Sequence, residues 1–150
     1  MKVIMYHYIQ TFNAKYPNFR FLNFENFQKK LDYFDEKYGF VSKKEWLNFV
    51  NNGILPQGKA KILLTFDDGL KCHHKFVFPE LEKRNLCGLF FVPAFPYLKN
   101  KILDVHRIHL LCGAFAGEKL LNQLLKLVKD DMITKSKVTE FKNKTYKHQS

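Results

Sequence analysis

Hydrophobic residues in the first third of the chain recur with helical spacing. Aromatic residues and leucine stand three or four residues apart from Phe24 to Tyr38, which predicts a helix with one apolar face. Asn23 is suited to cap its start, and Gly39 is suited to end it. A second helix is predicted in the segment SKKEWLNFVNNG, because it opens with a capping-box pattern and closes with glycine.

Three apolar runs predict strands. They are KVIMYHYI near the N-terminus, KAKILLTF at residues 59–66 and CGLFFVP at residues 87–93. The last two are apolar enough to be buried on both faces of a sheet. Strands that alternate with helices predict a parallel sheet in an α/β fold, although three strands are too few to close a barrel.

The second half of the chain is predicted to be mainly helical. Residues 73–85 form a helix that we expect to be kinked or restarted at Pro79. Residues 103–117 are apolar nearly all round, which predicts a buried helix, and residues 118–130 have the apolar stripe of an amphipathic helix. From these changes we predict a domain at residues 1–129 and a polar, lysine-rich tail at 130–150 that frays or is disordered.

The composition is typical of a globular protein and limits the classes of function. Of the 150 residues, 46% are hydrophobic and 26% are charged, and the net charge is +11, which favours anionic partners. The lysines are scattered singly, without a recognisable nucleic-acid motif, so we expect no nucleic-acid partner. The three cysteines form no CxxC pair, and no signal peptide or membrane-spanning segment is evident. We therefore expect a cytoplasmic protein.

Two adjacent aspartates, Asp67 and Asp68, close the apolar run in LLTFDDG. Loops at the carboxyl ends of parallel strands commonly frame functional sites, and neighbouring side chains leave a strand in different directions. One carboxylate can then bind a metal ion while the other acts as a base, and a cation would lower the cost of keeping both charged. The alternative is an ordinary turn, for which DDG is also a suitable sequence.

Two histidines downstream can complete a metal site. His106 and His109 are three residues apart on a predicted helix, so their side chains lie on neighbouring faces and can converge on one ion. Two imidazoles and a carboxylate are a ligand set typical of catalytic zinc. The alternative is that His106 and His109 form an HxxH pair that binds no metal.

The TFDDG segment and its surroundings resemble a known family. LLTFDDG is preceded by MYHYI and an LP turn and is followed by FPELEKRNLCGLFFVP, a pattern similar to the polysaccharide deacetylases, the NodB homology domain of carbohydrate esterase family 4. The resemblance extends over about residues 2–117. It implies a deformed (β/α) barrel, a divalent metal, usually Zn²⁺, and hydrolysis of the N-acetyl carbon–nitrogen bond of a carbohydrate.

The resemblance also implies roles for individual residues. Asp67 matches the catalytic base, and Asp68, His106 and His109 match the metal ligands. The family's two histidines are usually four residues apart, whereas those in DVHRIH are three apart. Beyond Gly117 we find none of the family's later motifs, including the Leu-x-His segment that supplies the general acid. We therefore expect an incomplete barrel that corresponds to the N-terminal part of a deacetylase.

The sequence offers weaker support for further candidate site residues. His7 ends the first predicted strand and can line the mouth of the pocket. Phe95 and Tyr97 follow the last predicted strand and can form an aromatic floor for a sugar ring, or they can be core and loop residues. We expect His73 and His74 to lie on the surface of the following helix.

Two other functions stay open at this point. The chain can be a truncated, non-catalytic remnant that binds a metal or a carbohydrate without turnover. It can also bind nucleic acid through its positive charge, although only the scattered lysines support that reading. The sequence does not identify the sugar, distinguish N- from O-deacetylation, or indicate the oligomeric state.

Overall fold

A computed structural model describes residues 1–58, 60–129, 132 and 137 of the chain. It divides the chain into two compact units, Met1–Ala114 and Phe115–Ser150. The strands of the first unit are β1 (Lys2–Tyr6), β2 (Ile9–Gln10), β3 (Leu22–Asn23), β4 (Ile62–Asp67) and β5 (Gly88–Phe91). Its helices are α1 (Phe24–Lys37), α2 (Lys43–Asn52), α3 (Phe78–Lys83), α4 (Phe95–Lys99) and α5 (Asp104–Ala114).

The main sheet contains three parallel strands in the order β1-β4-β5. In its register Tyr6 is opposite Phe66, and Asp67 is opposite Phe91. A separate parallel pair joins β2 to β3. The predicted parallel α/β arrangement is confirmed, and the described residues form an open sheet with β1 and β5 at its edges.

The core lies on one face of this sheet. Phe27 and Leu31 of α1 are completely buried against Leu64 and Phe66 of β4. From the segment that follows β4, Val77 and Leu81 join the same cluster. Because β4 is the central strand, its first five residues are all buried, as its apolar sequence predicts.

The predicted N-terminal caps of the first two helices are both present. The side chain of Asn23 accepts a hydrogen bond from the backbone N–H of Glu25 at the start of α1. Ser42 and Glu45 form the reciprocal capping box of α2, which ends at Gly53 with φ of 70°. The helical segment after β4 changes its geometry next to Pro79, as predicted. A wide π-type turn at His73–Val77 is followed by α3, which has Pro79 in its first turn.

Three expectations about strand extent and burial are wrong. The first apolar run is divided into β1 and β2, because the chain leaves the main sheet after Tyr6. In β5, Phe90 is 39% and Phe91 55% exposed, because β5 is an edge strand of the described sheet. In α5 only His106 and Gly113 are buried, so this apolar helix packs along a narrow line.

The second unit contains α6 (Gly117–Leu127), the amphipathic helix that the leucine spacing predicts. None of its described residues is buried. Apart from residues 132 and 137, the predicted tail at 130–150 lies outside the described residues. Among those described, no helix combines the length and apolar character that a membrane crossing requires.

Candidate active site

The aspartate pair lies where β4 ends and the chain turns. Asp67 is the last residue of the strand, whereas Asp68 has a φ of 76° and Gly69 a φ of 57°. A left-handed conformation costs a residue with a side chain about 1–2 kcal/mol. Gly69 has a second constraint, because a Cβ there would lie 3.0 Å from Cγ1 of Val92. The DDG turn therefore holds Asp68 in a strained conformation, which is a common feature of functional sites.

Helix α5 brings His106 to Asp68. The Nε2 atom of His106 lies 3.7 Å from Oδ2 of Asp68, and only 11% of the histidine side chain is exposed. This Nε2 atom is buried and has no hydrogen-bond partner among the described residues. Close packing of α5 contributes to this position, since a Cβ on Gly113 would lie 2.6 Å from Cδ2 of Phe19.

His7, the residue that follows β1, approaches the same carboxylate. Its Nε2 atom lies 3.6 Å from Oδ2 of Asp68, and 40% of its side chain is exposed. Asp68 is therefore flanked by one buried and one partly exposed imidazole. The predicted place of His7 at the mouth of the pocket stays a prediction, since His7 is not among the residues that line the cleft beside Asp68.

Tyr8 joins the two histidines of α5. Its hydroxyl lies 2.6 Å from Nδ1 of His106 and 3.0 Å from Nδ1 of His109. Burial raises the pKa of Tyr8 to about 12, and the nearby Asp68 carboxylate and Cys72 add to the increase. The hydroxyl is therefore the stable form of this side chain at neutral pH.

His73 connects the aspartate turn to the end of β1. It is only 3% exposed, and its Nε2 atom donates a hydrogen bond of 2.5 Å to the carbonyl oxygen of His7. Burial lowers its pKa, because a charged imidazole loses hydration there. The expected surface position of His73 is wrong, since the wide turn points its ring inward, whereas His74 is exposed.

A cleft of about 320 Å³ opens beside these residues. Tyr8, Asp68, His106 and Tyr97 contribute to its walls. The remaining walls are mostly apolar, formed by Leu70, Pro96, Ile102, Leu103 and Leu110. Tyr97 thus reaches the cleft as a candidate substrate contact, whereas Phe95 of the same short helix is not among the lining residues.

The residues present fit a metal ion in part. Two ligands of one tetrahedral zinc ion are roughly 3.4 Å apart at metal–ligand bonds near 2 Å, which is close to the separation of His106 and Asp68. The unpartnered Nε2 of His106 is the kind of donor that such an ion requires. His109 is directed at Tyr8 through Nδ1. In the described part of the chain, no three His, Cys, Asp or Glu side chains form a group able to hold one ion.

Two features of this site were not identified from the sequence. The link from Tyr8 to both histidines joins residues about 100 positions apart, and no local pattern predicts it. The sequence indicated the proximity of His7 to Asp68 only weakly. Each residue lies at the end of a predicted parallel strand, and the ends of neighbouring parallel strands lie at one edge of a sheet.

Three solved structures are similar to part of the chain. The deacetylase PplD of Streptococcus pyogenes, in complex with acetate, is 29% identical with a TM-score of 0.48, over 60% of this chain and 41% of PplD. IcaB of Ammonifex degensii is 28% identical with a TM-score of 0.45, over 60% and 37% of the two chains. A de-N-acetylase of Aggregatibacter actinomycetemcomitans is 20% identical with a TM-score of 0.42, over 59% and 35%.

The matched region spans about two fifths of these solved chains or less. PplD is a deacetylase, and the Aggregatibacter protein is a de-N-acetylase. No protein-family profile matches the chain. No curated protein matches it either.

Proposed function

We propose that this chain carries part of the site of a metal-dependent carbohydrate deacetylase, which removes an N-acetyl group from a sugar. The observation that supports this most is the buried, unpartnered Nε2 of His106, which faces Asp68 at 3.7 Å. It occurs beside the TFDDG turn and at the wall of a cleft, where a small acylated sugar can approach.

Asp68 and His106 would hold the ion in this mechanism. His109, the third ligand that the resemblance implies, stays a prediction. A divalent cation, most often Zn²⁺ in such ligand sets, would supply Lewis-acid activation of an amide carbonyl and of water. Asp67, at the end of β4, is the residue we assign as the base that removes a proton from the attacking water.

His7 is the candidate for the general acid. The sequence suggested His7 only as a residue at the mouth of the pocket and assigned the general-acid role to no residue. Amide hydrolysis requires a proton for the leaving amine, and histidine is the side chain that most often supplies one near neutral pH. Its Nε2 is held 3.6 Å from Asp68 and its side chain is partly exposed. Its backbone is also held, because His73 donates to its carbonyl oxygen.

Zinc binding and amine release test the two halves of the proposal. We expect the wild-type protein to bind one zinc ion in equilibrium dialysis and to release free amine from N-acetylglucosamine oligomers. Asp68→Ala should abolish zinc uptake. Asp104→Ala is the matched control, because Asp104 is an exposed aspartate paired with Arg107 on α5 and should leave zinc uptake unchanged. Equal zinc uptake by wild type and Asp68→Ala would contradict the assignment.

The second candidate function is metal or carbohydrate binding without turnover. It is favoured by the incomplete ligand group in the described residues. Zinc uptake that depends on Asp68, without amine release from any N-acetylated oligosaccharide, would support this function over the enzyme.

A further inference from the structure

Both histidines of α5 contact a single hydroxyl. The hydroxyl oxygen of Tyr8 is 2.6 Å from Nδ1 of His106 and 3.0 Å from Nδ1 of His109. The tyrosine ring also meets both imidazoles edge to face and packs against Phe19, with 4.7 Å between the centroids of those two aromatic rings. Side chains three apart on a helix lie on neighbouring faces, so the HxxH spacing suits this shared contact.

This shared contact occupies the Nδ1 atom of both rings. The two nitrogens of an imidazole lie on different sides of the ring, so each ring that meets the hydroxyl through Nδ1 directs its Nε2 away from that hydroxyl. The Nε2 of His106 is buried and faces Asp68, whereas His109 is exposed. Among the described residues, His109 forms no ligand group with Asp68 and His106. Of the two histidines of α5, only His106 is therefore within reach of an ion beside Asp68 in this arrangement.

The single proton of the Tyr8 hydroxyl makes a second difference between His106 and His109. A tyrosine hydroxyl has one proton to donate and can accept another. When it accepts the Nδ1 proton of His106, it can donate its own proton to Nδ1 of His109. His106 then has a lone pair on Nε2, which a metal ligand requires, and His109 has a proton on Nε2, which excludes it as a neutral ligand.

We propose that Tyr8 is a positioning residue that assigns His106 and His109 different tasks, the first as metal ligand and the second as a polar group at the rim of the site. The zinc part of this inference rests on the proposed function. It differs from the role that the resemblance implies for His109, and it gives the three-residue spacing of the histidines a physical reason.

Zinc affinity measured by competition with a chromogenic chelator tests this division. We expect Tyr8→Phe to weaken zinc binding by about 10–100-fold, the usual effect of removing a group that orients a ligand. His106→Ala should weaken it at least as much, and His109→Ala by less than about threefold. The visible spectrum of the Co²⁺-substituted protein should change in Tyr8→Phe and not in His109→Ala.

Tyr16→Phe is the matched control, because Tyr16 also packs on Phe19 and should bind zinc as wild type does. Thermal unfolding of all variants confirms that each is folded. The proposal is overturned if His109→Ala loses as much zinc affinity as His106→Ala, or if Tyr8→Phe keeps the wild-type affinity.

A measurement on the metal-free protein separates this inference from the proposed function. Long-range ¹H–¹⁵N spectra at a pH where the imidazoles are neutral report which nitrogen of each ring is protonated. We expect opposite tautomers in His106 and His109 of the wild type, and loss of that opposition in Tyr8→Phe. The same tautomer in both wild-type rings would overturn the inference even if zinc binds, whereas a failure of zinc binding alone would overturn the proposed function.

Discussion

The packed face of the main sheet and the rim at the carboxyl ends of its strands are built on different principles. Behind the sheet, Phe27, Leu31 and Phe66 are completely buried and meet apolar neighbours. At the rim, Asp68 has a positive φ and the buried Nε2 of His106 has no partner among the described residues. The packed face lowers the free energy of the fold, whereas the rim raises it and contains the residues of the proposed site.

The largest effect is expected in the packed face. Phe66 is completely buried, stacks on Tyr6 and Phe90 and meets Phe27 edge to face. Phe66→Ala should lower the free energy of unfolding by about 3–5 kcal/mol in urea denaturation, because it leaves a cavity. Phe12→Ala, at a 65% exposed position, is the control and should change it by less than about 0.5 kcal/mol. Similar losses in the two variants would contradict the description of the core.

A variant at the rim is expected to raise the free energy of unfolding instead of lowering it. Asp68→Gly should raise the free energy of unfolding by up to about 1 kcal/mol, because glycine adopts a positive φ without steric cost. The same variant should lose zinc binding, since it removes the carboxylate. Asn85→Gly, at a position with φ of 53° outside the site, should show a comparable change in stability and keep zinc binding. A clear loss of stability in Asp68→Gly would show that the turn is not strained.

The pH dependence of stability should reveal the cost of burying His73. Its pKa is lowered by burial, so the unfolded chain takes up a proton at higher pH than the folded protein does. The free energy of unfolding should therefore fall as the pH drops below about 6.5. Urea denaturation at pH 7.5 and 5.5 should show a smaller difference for His73→Gln than for wild type. His74→Gln, at an exposed position, should retain the wild-type difference.

The smallest effect is expected at the capping box of α2. Hydrogen bonds from Lys61 and Ser42 lower the pKa of Glu45 to about 2. Because the folded pKa lies below the unfolded one, the stabilisation is present above pH 4.5 and is lost as the pH falls toward 2. Glu45→Gln keeps a capping side chain and removes the charge, so it should flatten this acid dependence by less than about 1 kcal/mol, since the pair is partly exposed.

The control for this measurement is Glu36→Gln. Glu36 is 69% exposed, and its one ion-pair partner among the described residues is the neighbouring Lys37, so its variant should follow the wild-type acid dependence. An unchanged acid dependence in Glu45→Gln would mean that the Lys61 contact contributes nothing to stability.

The local elements were predictable because their causes are local. The spacing from Phe24 to Tyr38, the cap at Asn23 and the capping box at Ser42 all act within a few residues, and they correspond to α1 and α2 as observed. The run that ends in Asp67 was predictable as a buried strand, because it is apolar at nearly every position. The equally apolar β5 is partly exposed at the edge of the described sheet, so the pattern did not distinguish a central strand from an edge strand. The TFDDG turn likewise marked the end of the strand where the candidate site lies.

Tertiary structure alone decided which side chains meet. The wide turn after β4 buried His73, and the narrow packing line of α5 buried His106 and left most of that apolar helix exposed. The hydroxyl of Tyr8 meets two histidines about 100 residues away. A sequence pattern reports the spacing within one element, whereas these contacts depend on the distance and angle between elements, which are set by packing of the whole unit.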